Sequence, residues 1–267
     1  MILCRIFLLF FISLSLSTGL LAQDGRSSEE TDSTEDQIVV DEASGDEIQS
    51  DRPIIIRVPD LEDHRHQIEL DVLVTRNRDG SPTKVRFPVL YRMDSGPRTE
   101  IRLQTDFLTI QNPNVGFGDI SLGGKWRVGP STSLIGSIQI PTGSAGFSDG
   151  AVEPTLVVAQ DFPLSERWEL GVNLGLTFNR DSSTREYYGE FNAAAQLGYH
   201  LTSTTQLNAA VLYKTPDAFV GGVQRLSGAL GIGHQLDVHN RLNFLLGRSF
   251  STTGDDYLVL FGWAHKI

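Results

Sequence analysis

The sequence has one cysteine, Cys4, placed ahead of an apolar run at the start of the chain. Past that residue there is no thiol, which excludes disulfides, thiolate nucleophiles and cysteine metal sites. Lysine is scarce, with only Lys84, Lys125, Lys214 and Lys266. From Arg52 to the end, twenty Lys and Arg stand against twenty-two Asp and Glu. That balance leaves no basic excess for a nucleic-acid backbone. No second apolar run is long enough for a transmembrane helix, a lack that leaves membrane strands open because their signal is spread over alternate residues. Catalytic signatures are also missing. No strand-to-helix elbow of the Gly-x-Ser-x-Gly kind is present: the match to that spacing, Gly146 to Gly150, lies in a long connection with no helix pattern after it. The six histidines, His64, His66, His200, His234, His239 and His265, are dispersed. His64 and His66 have the spacing of a metal pair but belong to a charged segment, and His200 is a candidate base with no serine to place beside it. No enzyme activity, cofactor, metal site or nucleic-acid partner is expected.

What is present divides the chain unevenly. Residues 1–22 have an early positive charge at Arg5, an apolar run from Ile6 and small or apolar residues up to Ala22. This is the layout of a secretory signal peptide and predicts an exported protein. Residues 23–52 form an acidic segment. Between Asp24 and Asp51 there are eleven Asp and Glu and one Arg, a net of −10, with no aromatic residue. Such a segment cannot bury enough surface to offset its ordering entropy, so a disordered tail is expected. Residues 53–66 are a lead-in containing "PIIIRVP", which reads equally as tail, plug or short extra strand.

From Gln67 to Ile267 the dominant pattern is alternation. In "RWELGVNLGLTFN", Trp168, Leu170, Val172, Leu174, Leu176 and Phe178 share one face, opposite Glu169, Gly171, Asn173, Gly175, Thr177 and Asn179. A strand separates these sets and a helix does not. The same reading predicts strands near 67–76, 84–93, 99–109, 118–128, 133–140, 155–161, 167–179, 187–200, 205–214, 224–236, 241–250 and 257–267. Long connections such as "PTGSAGFSDGAVEP" take turns with short ones such as "VGPST". The fold class is therefore all-β: an up-and-down transmembrane antiparallel barrel of about 12 strands, short turns and both termini periplasmic. Trp126, Trp168, Tyr199, Tyr213, Tyr257 and Trp263 lie near strand ends, where interfacial girdles sit in outer-membrane lipid. Tyr257, Val259, Phe261, Trp263, His265 and Ile267 recur in steps of two up to the last residue. This resembles the C-terminal signal read by the barrel-assembly machinery, with Ile267 in place of the usual final aromatic.

The segment "GFGDISLGGKWRV", residues 116–128, has the glycines and the Gly-Lys pair of a phosphate loop. Five residues separate Gly118 from Gly124, and Trp126 stands where a Walker loop needs Ser or Thr. A nucleotide site is excluded. The segment instead resembles the "G-x-G-D-hydrophobic-x-hydrophobic-G-x-K-aromatic" element of the transporter family linked to the meta-pathway of phenol degradation. Ile140-Pro141-Thr142-Gly143-Ser144 is similar to the aliphatic-Pro-Thr-Gly element that follows in that family. Trp168-Glu-Leu170 and Asn173-Leu-Gly175 are similar to its later aromatic-led strand. The likeness covers about 70 to 267 and implies an outer-membrane barrel that passes small hydrophobic or aromatic molecules.

Parity adds the interior. If Ile120, Leu122, Trp126 and Val128 face lipid, then Asp119, Lys125 and Arg127 face the lumen. By the same rule Glu69, Asp71, Arg86, Arg92, Glu100, Arg102 and Asp106 point inward, giving a mixed-sign wall on the first four strands. This wall either meets a small-molecule solute or pairs with itself and fills the lumen. The function expected is a channel or transporter. The alternatives are a structural or adhesive barrel acting through loops 141–154 and 180–188, and an outer-membrane lipid-modifying enzyme.

Overall fold

In a computed structural model of the chain, residues 65–77, 82–148, 150–181, 184–215, 225–251 and 255–267 are described. The expected signal peptide, acidic tail and nearly all of the lead-in lie outside these residues. Period-two alternation becomes strand throughout: β1 (His66–Asn77), β2 (Lys84–Gly96), β3 (Thr99–Gln111), β4 (Asn114–Gly116), β5 (Ile120–Gly129), β6 (Thr132–Ile140), β7 (Glu153–Pro163), β8 (Trp168–Arg180), β9 (Tyr187–His200), β10 (Thr205–Lys214), β11 (Arg225–Gln235), β12 (Asn240–Ser249) and β13 (Asp255–Lys266). All but the three-residue β4 have nine to fourteen residues. About 9–11 residues suffice for a tilted strand to cross a bilayer.

Each long strand pairs antiparallel with its neighbours along the chain, and β1 closes the ring on β13 from Gln67↔Lys266 to Asn77↔Asp255. Closure removes the edges that would otherwise present unpaired backbone groups. The two faces then separate cleanly. On β8 the side chains of Leu170, Val172, Leu174, Leu176 and Phe178 turn outward, and Gly171, Asn173 and Gly175 are buried on the inner face.

Two irregularities depart from the sequence expectation. The ladder of β2 with β3 steps from Phe87↔Leu108 to Pro88↔Asp106, leaving Phe107 as the extra residue of a bulge. Proline has no N–H to give a ladder, so a bulge is where Pro88 fits. The strand expected from residue 118 begins instead at Ile120, because Phe117, Gly118 and Asp119 leave the ladder. The short β4 just before them pairs only with β3, at Thr109, Ile110 and Gln111. The weakly alternating segment near 155–161 is a full strand, extended at both ends to Glu153 and Pro163.

The short connections are 97–98, 130–131, 164–167, 201–204 and 236–239, all at one rim, together with both ends of the barrel. Ile267 donates its N–H to the His66 carbonyl there at 2.8 Å. In the last of these turns Asp237 Oδ1 accepts the N–H groups of His239 and Asn240, each at 2.8 Å. A hydrogen bond from the Asn240 side chain, followed by the His239 N–H, holds the Asp237 carboxyl below its ordinary range. The longer loops gather at the opposite rim.

Leu230, at the middle of β11, is 69% exposed on the outer face. Leu230→Arg is expected to cost about 2–4 kcal/mol, the price of a cation at a bilayer midplane. Urea unfolding in phospholipid vesicles reads this directly, and an unchanged midpoint would mean that this face does not meet lipid.

Candidate functional site

The inner face of β1, β2, β3 and β5 holds a cluster of charges near the short-turn rim. Arg92 is the centre of the first pair: Nε donates to Glu100 Oε1 at 2.9 Å and Nη2 to Glu100 Oε2 at 2.7 Å. This is a two-pronged guanidinium–carboxylate contact, the strongest geometry available to the pair. Arg92 Nη1 also reaches Glu69 Oε1 at 3.4 Å, and Gln67 Nε2 donates to the same oxygen at 2.9 Å. Arg102 Nη1 lies 3.5 Å from Glu100 Oε1. Lys125 is the direct ladder partner of Glu100 on β5. Gln67, Glu69, Arg92, Glu100 and Lys125 are all at most 1% exposed.

The register explains the arrangement. Arg92 and Arg102 are directly opposed across β2 and β3, a like-charge pairing that is unfavourable alone. Glu100, one inward position away from Arg102 on β3, touches both. A single buried carboxylate thus holds three cations of different strands in place. Ions taken from water need such partners, because the desolvation cost otherwise exceeds the mutual attraction.

A second polar chain runs along β8, β9, β10 and β12 at the same rim. Arg241 Nη2 donates to Gln206 Oε1 at 2.9 Å, and Gln206 Nε2 donates to Glu169 Oε1. His200 Nε2 is 3.7 Å from Glu169 Oε2. Inward glycines leave room for these large groups. A Cβ at Gly198 would crowd Glu169 and Gln206, and one at Gly233 would meet the Arg241 guanidinium. Nearer the long loops, Arg86 Nη1 lies 3.5 Å from Asp106 Oδ2, and Lys214 Nζ lies 3.3 Å from Glu190 Oε1.

Parity thus puts Glu69, Asp71, Arg86, Arg92, Glu100, Arg102, Asp106, Lys125 and Arg127 on the inner face. Glu69, Arg92, Glu100, Arg102 and Lys125 form one cluster. Asp71 is buried on β1 opposite Gly262, where a Cβ would collide with its carboxylate. Arg127 lies at the rim and donates from Nη2 to the Pro97 carbonyl at 3.2 Å.

Asp119 has a different task. Its Oδ1 accepts the Gly143 N–H at 2.7 Å, and its Oδ2 accepts Gln139 Nε2 at 3.4 Å. Thr142 Oγ1 accepts the Ile120 N–H and Ser144 Oγ the Phe117 N–H, each at 3.0 Å. The two glycine-bearing elements at 116–119 and 141–144 are therefore one latch, which replaces ladder bonds where β5 has not yet begun. A Cβ on Gly143 would lie 2.8 Å from the Phe117 carbonyl oxygen, and one on Gly116 would run into the Phe147 ring. Gly116 of β4 thus packs against the loop that carries Phe147, and a Cβ on Gly118 would lie 2.9 Å from the Cβ of Asp106 on β3.

Apolar side chains also reach the inside, which the sequence pattern does not anticipate. Leu73, Leu245 and Leu260 form one buried cluster on β1, β12 and β13, with Leu258 and Ala229 packed against it. Ile135, Val157 and Ala159 form another on β6 and β7. The strand order sets these two walls half the circumference apart, each at mid-height. Among the described residues, no group of three or more His, Cys, Asp or Glu is placed to hold a metal ion.

On the outer face Trp126, Trp168, Tyr199 and Trp263 stand at the short-turn rim, and Tyr213 and Tyr257 at the long-loop rim. The Trp168 and Tyr199 rings are 4.6 Å apart, and Trp263 Nε1 donates to Asn240 Oδ1 at 3.1 Å.

Solved structures share this architecture. An outer membrane channel from Pseudomonas putida F1 superposes with a TM-score of 0.59 at 12% identity, over 78% of this chain and 100% of that one. The NanC porin gives 0.54 at 9% identity over 74% and 100%. The CymD monoaromatic hydrocarbon channel gives 0.50 at 9% identity over 78% and 89%. Identities this low speak for the fold alone: the chain folds as an outer-membrane β-barrel. No curated protein matches the sequence. A family model described as "Putative MetA-pathway of phenol degradation" matches residues 45–267.

Glu100→Gln removes the carboxylate charge shared by Arg92, Arg102 and Lys125 and leaves their buried charges less compensated. Breaking a buried pair in this way costs about 3–5 kcal/mol. The expected result is a matching fall in denaturant stability of the vesicle-inserted barrel. A change within measurement error would show that Glu100 does not hold the cluster.

Proposed function

The chain belongs to that phenol-degradation family, and on this premise we propose that it is an outer-membrane channel for small, mainly apolar molecules. One observation carries the reading: buried leucine, isoleucine and valine side chains line two facing walls at mid-height inside a barrel whose inner face also carries a dense set of charges. Barrel interiors that only conduct water and ions are polar. Apolar patches inside give an aromatic solute a place to shed its hydration, at about 25 cal/mol per Å² of area removed from water. Two fold relatives are channels by name, one of them for monoaromatic hydrocarbons, which supports the direction without naming this chain's solute.

The inward charges of β1 to β5, Asp119 apart, narrow the path near the short-turn rim and orient any polar end of the solute. Short turns and both termini face the periplasm, and long loops face outside. The aromatic side chains of the two rims sit at the two lipid–water interfaces. The alternating outer face of β13 is what the barrel-assembly machinery meets. No catalytic step is assigned to any residue.

Proteoliposome swelling tests the reading with a matched pair of solutes, phenyl glucoside and glucose. The phenyl compound is expected to enter faster despite its size. Leu245→Asn combined with Leu260→Asn should slow it by roughly fourfold for each methylene that the solute no longer buries, with little change for glucose. Liposomes impermeable to both, or a variant that treats both alike, would overturn the proposal.

A further inference from the structure

Two histidines far apart in the sequence are brought together by the strand order. His239 ends the turn between β11 and β12, and His265 stands near the end of β13. Asn240, the residue after His239, is the ladder partner of His265, and the His239 carbonyl accepts the Lys266 N–H at 2.9 Å. The two imidazoles therefore meet at the short-turn rim, with ring centres 6.3 Å apart and planes inclined by 42°.

The His265 ring is fixed by its neighbours. Trp263 stacks on it, with ring centres 5.3 Å apart and 18° between the planes. Its Nδ1 lies 3.0 Å from Asn240 Oδ1, which also accepts Trp263 Nε1 at 3.1 Å. The Asn240 amide has one orientation, because its Nδ2 donates to both Asp237 carboxylate oxygens at 2.9 Å. An acceptor oxygen thus faces Nδ1, so in the neutral ring Nδ1 carries the proton and Nε2 the lone pair. Outer hydrogen bonds of this kind orient a metal-binding histidine and raise its basicity.

Spacing adds the second ligand. With metal–imidazole bonds of about 2.0–2.1 Å, two rings on opposite sides of one ion have centres roughly 6 Å apart. His239, exposed on its turn, completes such a pair. Asp237 serves as outer support, since its oxygens accept the Asn240 amide and the N–H groups of His239 and Asn240. Two nitrogens with water elsewhere suit a tetragonal ion, and affinity along the first-row series peaks at Cu²⁺. Other rim histidines are engaged elsewhere: His66 Nδ1 with Tyr91 Oη at 2.6 Å, and His234 Nδ1 with Thr205 Oγ1 at 2.9 Å.

We propose that His239 and His265 bind one Cu²⁺ ion through a ring nitrogen each, Nε2 in the case of His265. Water fills the remaining positions, and Asn240 is the positioning residue. The ion ties the turn at 236–239 to the last strand, beside the β1–β13 seam that closes the ring. The site lies outside the lumen and is independent of whether any solute passes through it.

The test uses the full chain purified in detergent without a polyhistidine tag and stripped of metal by a chelator. Cu²⁺ is titrated in while electron paramagnetic resonance reads the ligand atoms. One equivalent with splitting from two nitrogens is expected, bound more tightly than Zn²⁺. His239→Ala, in an exposed turn, should remove one nitrogen from the spectrum, and so should His265→Ala. Asn240→Ala should keep both nitrogens and weaken binding about 10–100-fold. His66→Ala and His234→Ala should change neither quantity. Heat-shifted gel mobility checks that each variant is folded. A wild-type spectrum with oxygen ligands only, or one that His239→Ala leaves unchanged, overturns the proposal. Undiminished affinity in Asn240→Ala overturns the positioning role.

Discussion

The hydrogen-bond ladder between β1 and β13 is the constraint on which the rest of this molecule depends. In hydrocarbon no water can satisfy a free N–H or carbonyl, and each one left open costs several kcal/mol. A twelve-strand sheet has two long edges, and pairing them with each other is the only way to dispose of both. Once the ring is closed, every second residue is committed to an interior and the rest to lipid. The placement of charges, aromatics and glycines then follows.

Closure also makes the interior crowded. Large side chains from neighbouring strands compete for one enclosed volume, and the chain answers with glycine opposite or beside them, as with Asp71 and Gly262 or Arg241 and Gly233. The charged cluster around Glu100 follows the same constraint, with one carboxylate shared by three cations. Low local dielectric makes such a network rigid when complete and costly when broken. The two apolar walls lie at mid-height and the cluster near the short-turn rim, so the two are separated along the barrel axis, with β1 contributing to both.

Much of this is legible in the sequence because its signals are periodic. Alternation in "WELGVNLGLTFN" separates the faces of β8 without any knowledge of neighbours. Carrying the parity of "DISLGGKWRV" back to β1–β3 points Arg92 and Glu100 inward. Less is legible where pairing depends on distant chain. That Asp119 caps Gly143 is a tertiary fact; locally Asp119 continues the inward parity of Ser121 and Lys125. The inward leucines are hidden for another reason. "LDVLVT" in β1 and "YLVLFGW" in β13 are apolar on both faces, which erases the contrast that identifies a side. The bulge at Phe107 has a trace in Pro88, a residue a regular ladder cannot accommodate. The short β4 has no trace, because three residues are too few to show a period.

The central claim is a closed barrel resident in the outer membrane, and electrophoretic heat modifiability tests it most directly. Expressed as the full chain in a diderm host, the protein should fractionate with the outer membrane. In dodecyl sulfate without heating it should migrate at a position distinct from the boiled chain, because a closed ladder resists the detergent until heat opens it. Recovery in the soluble periplasmic fraction, with one mobility at both temperatures, would contradict the closed-barrel account.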